Sequence, residues 1–231
     1  MKKKIILTIL LGAVITYFIY QKFYHEETNI VTLGDSISLG MTPYNVEGYS
    51  FNDYLKDIYE NNNLEEYITE FSSINETTET LLLKIQNNYT LESTNLQIQQ
   101  AIAKANILTL SLGIDELSSK SIIKTKDMEG YIKNMEKIIK LLRIYNDKSI
   151  FLIGLYPTNK LKKDKIRDIN KKLKEISHEN NIIFIDIESI SDNQEYFFEK
   201  DYYHLNYKGH RYISELILKK HKNRDINPVN F

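Results

Sequence analysis

A serine in Gly34-Asp35-Ser36 stands near the start of this sequence, and an aspartate and a histidine in Asp201-Tyr202-Tyr203-His204 stand near its end. Covalent catalysis by a serine needs a nucleophile, a base to take its proton and a carboxylate to orient that base. There is no cysteine, so a thiol nucleophile is excluded and Ser36 is left to carry such chemistry. Taken alone, a serine in a Gly-Asp-Ser turn is more often a helix N-cap than a nucleophile. A lone Asp-x-x-His is more often a surface pair. The two fragments become a site only if the fold carries both to one rim.

The elements that would do so are legible as short apolar runs alternating with amphipathic stretches. Asn29–Leu33, Tyr67–Ile74, Ile107–Leu112, Ser149–Leu155 and Ile182–Ile187 read as strands. Ser50–Asn61, Thr77–Gln86, a segment ending at Ala101–Ala105, Met128–Tyr145, Lys162–Asn180 and His210–Lys220 read as helices. In Lys162–Asn180, Ile166, Ile169, Leu173 and Ile176 form one apolar stripe on a charged helix, the pattern of a helix covering a sheet. Near-continuous apolar strands between such helices require a parallel sheet buried on both faces, so the bulk of the chain reads as one α/β domain. Ligands of open parallel sheets bind beyond the carboxyl ends of the strands. The informative residues therefore follow the strands: Gly34 to Ser38, then Gly113-Ile114-Asp115-Glu116, then Tyr156-Pro157-Thr158, and last Asp201 to His204.

Two longer segments, VTLGDSISLG from Val31 to Gly40 and DYYHLNYKGH from Asp201 to His210, resemble the SGNH (GDSL-type) hydrolases in order and placement. The resemblance runs from Asn29 to about Lys220 and is nearest to the small secreted bacterial lipase/acylhydrolase branch. It implies a three-layer, flavodoxin-like α/β sandwich with a central, mostly parallel sheet. It also implies that Ser36 is the nucleophile, His204 the general base and Asp201 the carboxylate that orients it. Ser36 would add its own backbone N–H to the oxyanion hole. Asp35, Gly113 and Tyr156 become candidates for the loops that meet substrate. Two blocks depart from the family pattern. Asn75 stands where the family has a glycine, and asparagine tolerates left-handed backbone angles well enough to present the same amide. Asp115 stands where the family has an asparagine that donates to the oxyanion. An ionised Asp115 accepts only, so activity is expected to be reduced; the alternative is that Asp115 and Glu116 cap the helix that follows. No metal and no cofactor is implied.

The whole chain has 231 residues, 42% of them hydrophobic, with 30 basic and 31 acidic residues. That balance argues against a nucleic-acid partner, which requires clustered excess Lys and Arg. It is also an average over two parts. Lys2, Lys3 and Lys4 precede an apolar run from Ile5 to Tyr20, and Lys22 follows it; without those four lysines the chain holds 26 basic against 31 acidic residues. The run is near the length that spans a bilayer, lacks a polar face and lacks a small-x-small cleavage site. Residues 1–25 are therefore expected to be cytoplasmic lysines plus an uncleaved transmembrane anchor, with residues 26–231 forming the hydrolase-like domain outside the cell. A cleaved and secreted form is the alternative. The expected partner is a small-molecule, lipid or glycan ester, and the competing reading is a catalytically weak domain that binds envelope lipid or glycan.

Overall fold

Strand β1, Thr28–Gly34, is buried along almost its whole length, and so is β3, Ile107–Ser111. Strands with two apolar faces need cover on both sides, and the chain supplies it with helices that return each strand parallel to the last. A computed structural model of the protein describes residues 27–60, 63–119 and 124–226, together with Gly12 and Val14. Its sheet also contains β2, Leu64–Ile68, β4, Ser149–Ile153, and β5, Ile183–Ile185, in the order β2-β1-β3-β4-β5. Every neighbouring pair is parallel. The helices are α1, Phe51–Glu60; α2, Thr78–Gln86; α3, Ile98–Lys104; α4, Ile114–Ser118; α5, Thr125–Tyr145; α6, Lys163–Glu179; and α7, Tyr207–Ile226. Helix α1 packs on α7, while α2, α3 and α6 pack around α5, giving the two helical layers of a flavodoxin-like sandwich. The expected stripe of α5, from Tyr131 through Met135, Ile138 and Ile139 to Leu142, is buried in the core. Each such side chain contributes about 1.5–3 kcal/mol by leaving water.

Two expectations need correction. The second strand covers Leu64–Ile68 rather than Tyr67–Ile74. Past Ile68 the chain turns, with Ser72 N–H donating to Thr69 O at 2.8 Å, and it then crosses the end of β1, where Ser73 N–H donates to Gly34 O at 3.0 Å. Those residues serve the site instead of the sheet. Also, Asp115 and Glu116 do not cap the helix they enter. The N-cap position of α4 is Gly113, which has no side chain to offer, and Glu116 instead accepts Thr78 N–H at 2.7 Å at the start of α2. The expected membrane anchor lies outside the described residues apart from Gly12 and Val14. Among the described residues no helix is long and apolar enough to cross a membrane.

His210 lies in the first turn of α7 and is buried against Phe51, the two rings stacked at 6.3 Å and 14°. Neither imidazole nitrogen has a hydrogen-bond partner among the described residues, and burial pushes its pKa down from 6.5 to about 4. The unfolded chain thus takes up a proton near pH 6.5, whereas the folded chain resists it until about pH 4. Stability that His210 contributes when neutral is complete above the first value and is lost as pH falls toward the second, by about 3 kcal/mol across that window. His210→Phe keeps the stack and removes the proton site. Urea unfolding at pH 7 and pH 5 is expected to show a smaller acid loss in this variant than in the native chain.

Candidate active site

The site assembles where β1 and β3 end. A Cβ on Gly34 would lie 2.0 Å from Ser111 O, so only glycine lets β1 leave the sheet this close to β3. Asp35 follows; its N–H donates to Ser111 O at 3.0 Å. Its carboxyl turns inward and accepts N–H groups from Gly113 at 2.9 Å, Ile37 at 3.2 Å and Asp115 at 3.4 Å. Asp35 thereby ties the turn after β1 to the turn after β3. Complete burial, and then the nearby charge of Asp115, push its pKa up to about 8, although the three N–H donors pull the other way.

Ser36 is brought next to Asp115. The serine hydroxyl donates to Asp115 Oδ1 at 2.6 Å, and the serine N–H donates to Asp115 Oδ2 at 3.1 Å. Asn75 arrives from the turn after β2 with φ of 61°, and its N–H donates to the same Oδ2 at 3.2 Å. The capping box of Thr77 and Thr80 starts α2 immediately afterwards and holds this turn in place. Two backbone amides therefore converge on one point beside the serine hydroxyl, which is the arrangement of an oxyanion hole. That point is occupied by the Asp115 carboxylate, only 9% exposed.

The last segment joins from the other end of the chain. His204 Nδ1 lies 2.7 Å from Asp201 Oδ2, and Asp201 Oδ1 accepts the N–H groups of Tyr203 at 2.6 Å and His204 at 3.0 Å. Partial burial would raise the pKa of Asp201, but the imidazole and the two backbone donors outweigh it and hold the carboxyl below its ordinary value. Asp201 is thus suited to fix the imidazole tautomer and to stabilise an imidazolium. Tyr203 reaches across from this segment and donates its hydroxyl to Asp115 Oδ1. An open cavity of about 400 Å³ lies alongside, lined by Asn159, Lys160, Lys200, Asp201, Tyr203 and His204.

Ser36, Asn75 and Asp115 are in direct contact, and Asp201 and His204 form a pair that Tyr203 links to them. Among the described residues, however, Ser36 Oγ bonds Asp115 and not the imidazole. Asp35, Gly113 and Tyr156, expected at the substrate-facing loops, are buried instead. Tyr156 lies behind the rim, its hydroxyl donating to Tyr203 O at 2.7 Å. Nothing in the sequence signals the Tyr203–Asp115 contact beyond the place of Tyr203 next to His204.

Residues 30–217 match the family model of GDSL-like lipase/acylhydrolases. No curated protein matches the chain. Among solved structures, a lipase from a goat rumen metagenome, Lip_vut3, is 19% identical with a TM-score of 0.65, over 83% of this chain and 96% of its own. A lipase/acylhydrolase from Enterococcus faecalis is 18% identical with a TM-score of 0.63, over 85% of this chain and 96% of its own. A mutant of the Geobacillus acetyl-xylooligosaccharide esterase Axe2 is 14% identical with a TM-score of 0.62, over 84% and 95%. At such identities these structures share the fold. The match over most of the chain, on the parallel sheet that joins a Gly-Asp-Ser turn to an Asp-x-x-His segment, makes this protein a member of the GDSL-like lipase/acylhydrolase family.

Proposed function

We propose that the protein is a serine ester hydrolase with Ser36 as nucleophile, His204 as base and Asp201 as its orienting carboxylate. Ser36 Oγ attacks the ester carbonyl carbon as its proton passes to His204, and the carbonyl oxygen takes up negative charge between the N–H groups of Ser36 and Asn75. The bond to the leaving oxygen breaks, and that oxygen receives the proton from His204. Water then cleaves the acyl-serine by the same sequence and releases the acid. The observation that carries this reading is the convergence of those two amides on one oxygen position beside Ser36 Oγ.

The reaction requires Asp115 to leave the hole. A second reading therefore draws support from the same carboxylate: a catalytically weak domain that holds a lipid or glycan. A carbohydrate O-acetyl esterase is a third form of the activity, favoured by the acetyl-xylooligosaccharide esterase among the structures that share the fold. The lysines and apolar run at the N-terminus support tethering to a membrane with the domain outside the cell. In that setting the substrate is an ester of an envelope lipid or glycan. The test of the reading is labelling by a fluorophosphonate, which reacts covalently with an activated serine. The native chain is expected to take one label; a folded chain that takes none would support the binding domain instead.

A further inference from the structure

The Asp115 carboxylate is gripped by four donors from three parts of the chain. Oδ2 accepts the N–H groups of Ser36 at 3.1 Å and Asn75 at 3.2 Å; Oδ1 accepts the hydroxyls of Ser36 at 2.6 Å and of Tyr203. These bonds do nothing for helix α4, whose N-cap is Gly113. They do match what the acid product of ester cleavage would need. One product oxygen would sit between the two amides, and the other would sit against the serine, where the ester's bridging oxygen leaves and the water oxygen enters.

We propose that Asp115 is an internal stand-in for the product acid, that its four donors form a carboxyl-binding subsite, and that Tyr203 is a catalytic hydrogen-bond donor to the bridging oxygen of the ester. The catalytic part rests on the hydrolase reading; the subsite does not. Tyr203 is well fixed for the task. Its N–H is held by Asp201, its carbonyl by the Tyr156 hydroxyl, and its ring meets that of His204 edge-on at 4.8 Å. Burial, and then the charge of Asp115, push the phenol pKa well up, so at neutral pH the hydroxyl is a donor that keeps its proton. In acylation the Ser36 Oγ–carbon bond forms and the carbon–oxygen bond of the leaving group breaks. The electron pair stays on the leaving oxygen, which takes from His204 the proton that came from Ser36. Tyr203 donates a hydrogen bond to that oxygen throughout. It thereby supplies a donor to the reacting carboxyl group where Asp115 has replaced one.

Carbon-13 acetate titrated by NMR into the full chain tests the subsite without relying on turnover. Asp115→Ala, with Asp115→Ser in parallel in case one variant fails to fold, is expected to bind acetate at least about tenfold more tightly than the native chain. Adding Tyr203→Phe should weaken that binding about tenfold, the effect of removing one hydrogen bond to a charged group. A folded variant that binds no better than the native chain, or binding unaffected by Tyr203→Phe, would overturn the proposal. The catalytic part is read from Tyr203→Phe alone, as kcat/KM on ethyl acetate and p-nitrophenyl acetate. The loss should be about tenfold on the poor alkoxide leaving group and under about threefold on the nitrophenolate, since only the former needs the donor. Equal losses would indicate a merely structural tyrosine and overturn it. Acetate binding in the expected pattern, with neither ester cleaved by the native chain, would keep the subsite and remove both the hydrolase reading and the catalytic role of Tyr203.

Discussion

Ser36→Ala is expected to lower kcat/KM for p-nitrophenyl acetate by at least about 10⁴-fold, the scale of losing the nucleophile from a serine–histidine–aspartate unit. The fold should survive the change. Ser36 is 5% exposed, but its side chain gives up a single hydrogen bond, to Asp115 Oδ1, and that oxygen keeps the Tyr203 hydroxyl. The Ser36 N–H, which helps to form the hole, is also retained. Thermal unfolding close to that of the native chain alongside lost turnover would separate the chemistry from stability. His204→Ala should lose activity on a similar scale, because members of one catalytic unit are strongly non-additive.

Asp115→Asn is expected to act in the opposite direction and raise kcat/KM about 10²-fold, the worth of one oxyanion donor. Three effects combine. The replacement removes a negative charge from the point where the transition state develops one. It weakens the occupant of the hole, because the bonds that Ser36 and Asn75 make to a carboxylate become bonds to a neutral amide. It also supplies an N–H that can turn toward the oxyanion. The contact between Ser36 Oγ and Asp115 Oδ1 suggests a rival role for Asp115, as the base that takes the serine proton. The same carboxylate fills the point between the Ser36 and Asn75 amides that the reaction needs for the oxyanion, which favours His204 as the base. If Asp115 were nonetheless the base, Asp115→Asn would abolish turnover, so the sign of the change in kcat/KM decides between the two roles.

The sequence disclosed those parts of the site whose geometry is local. Asp201 and His204 are three residues apart, and their contact follows from one turn of chain. The strands leading to Ser36 and Gly113 are apolar on both faces, which marks them as central and places their carboxyl ends side by side. Strand β2 was harder to bound, because LEEYI is a half-buried edge with little periodicity, and the apolar residues after it belong to the turn that delivers Asn75. The five-residue α4 is too short to leave a helical pattern. The state of the hole was beyond sequence reading altogether. That Asp115 faces inward depends on the Ser36 amide 79 residues away, the Asn75 amide 40 residues away and the Tyr203 hydroxyl 88 residues away. The resemblance to the family marks Asp115 as an acceptor where a donor is expected; it does not show that the acceptor would satisfy the donors around it.

The most direct measurement is the intact mass of the full chain after reaction with a fluorophosphonate, followed by peptide mapping of the adduct. The hole must release Asp115 for the serine to react. The native chain is therefore expected to take one adduct, located on Ser36, absent from Ser36→Ala and formed faster in Asp115→Asn. A folded native chain that takes no adduct, or one whose adduct lies on another residue, would contradict the assignment of Ser36 as the nucleophile.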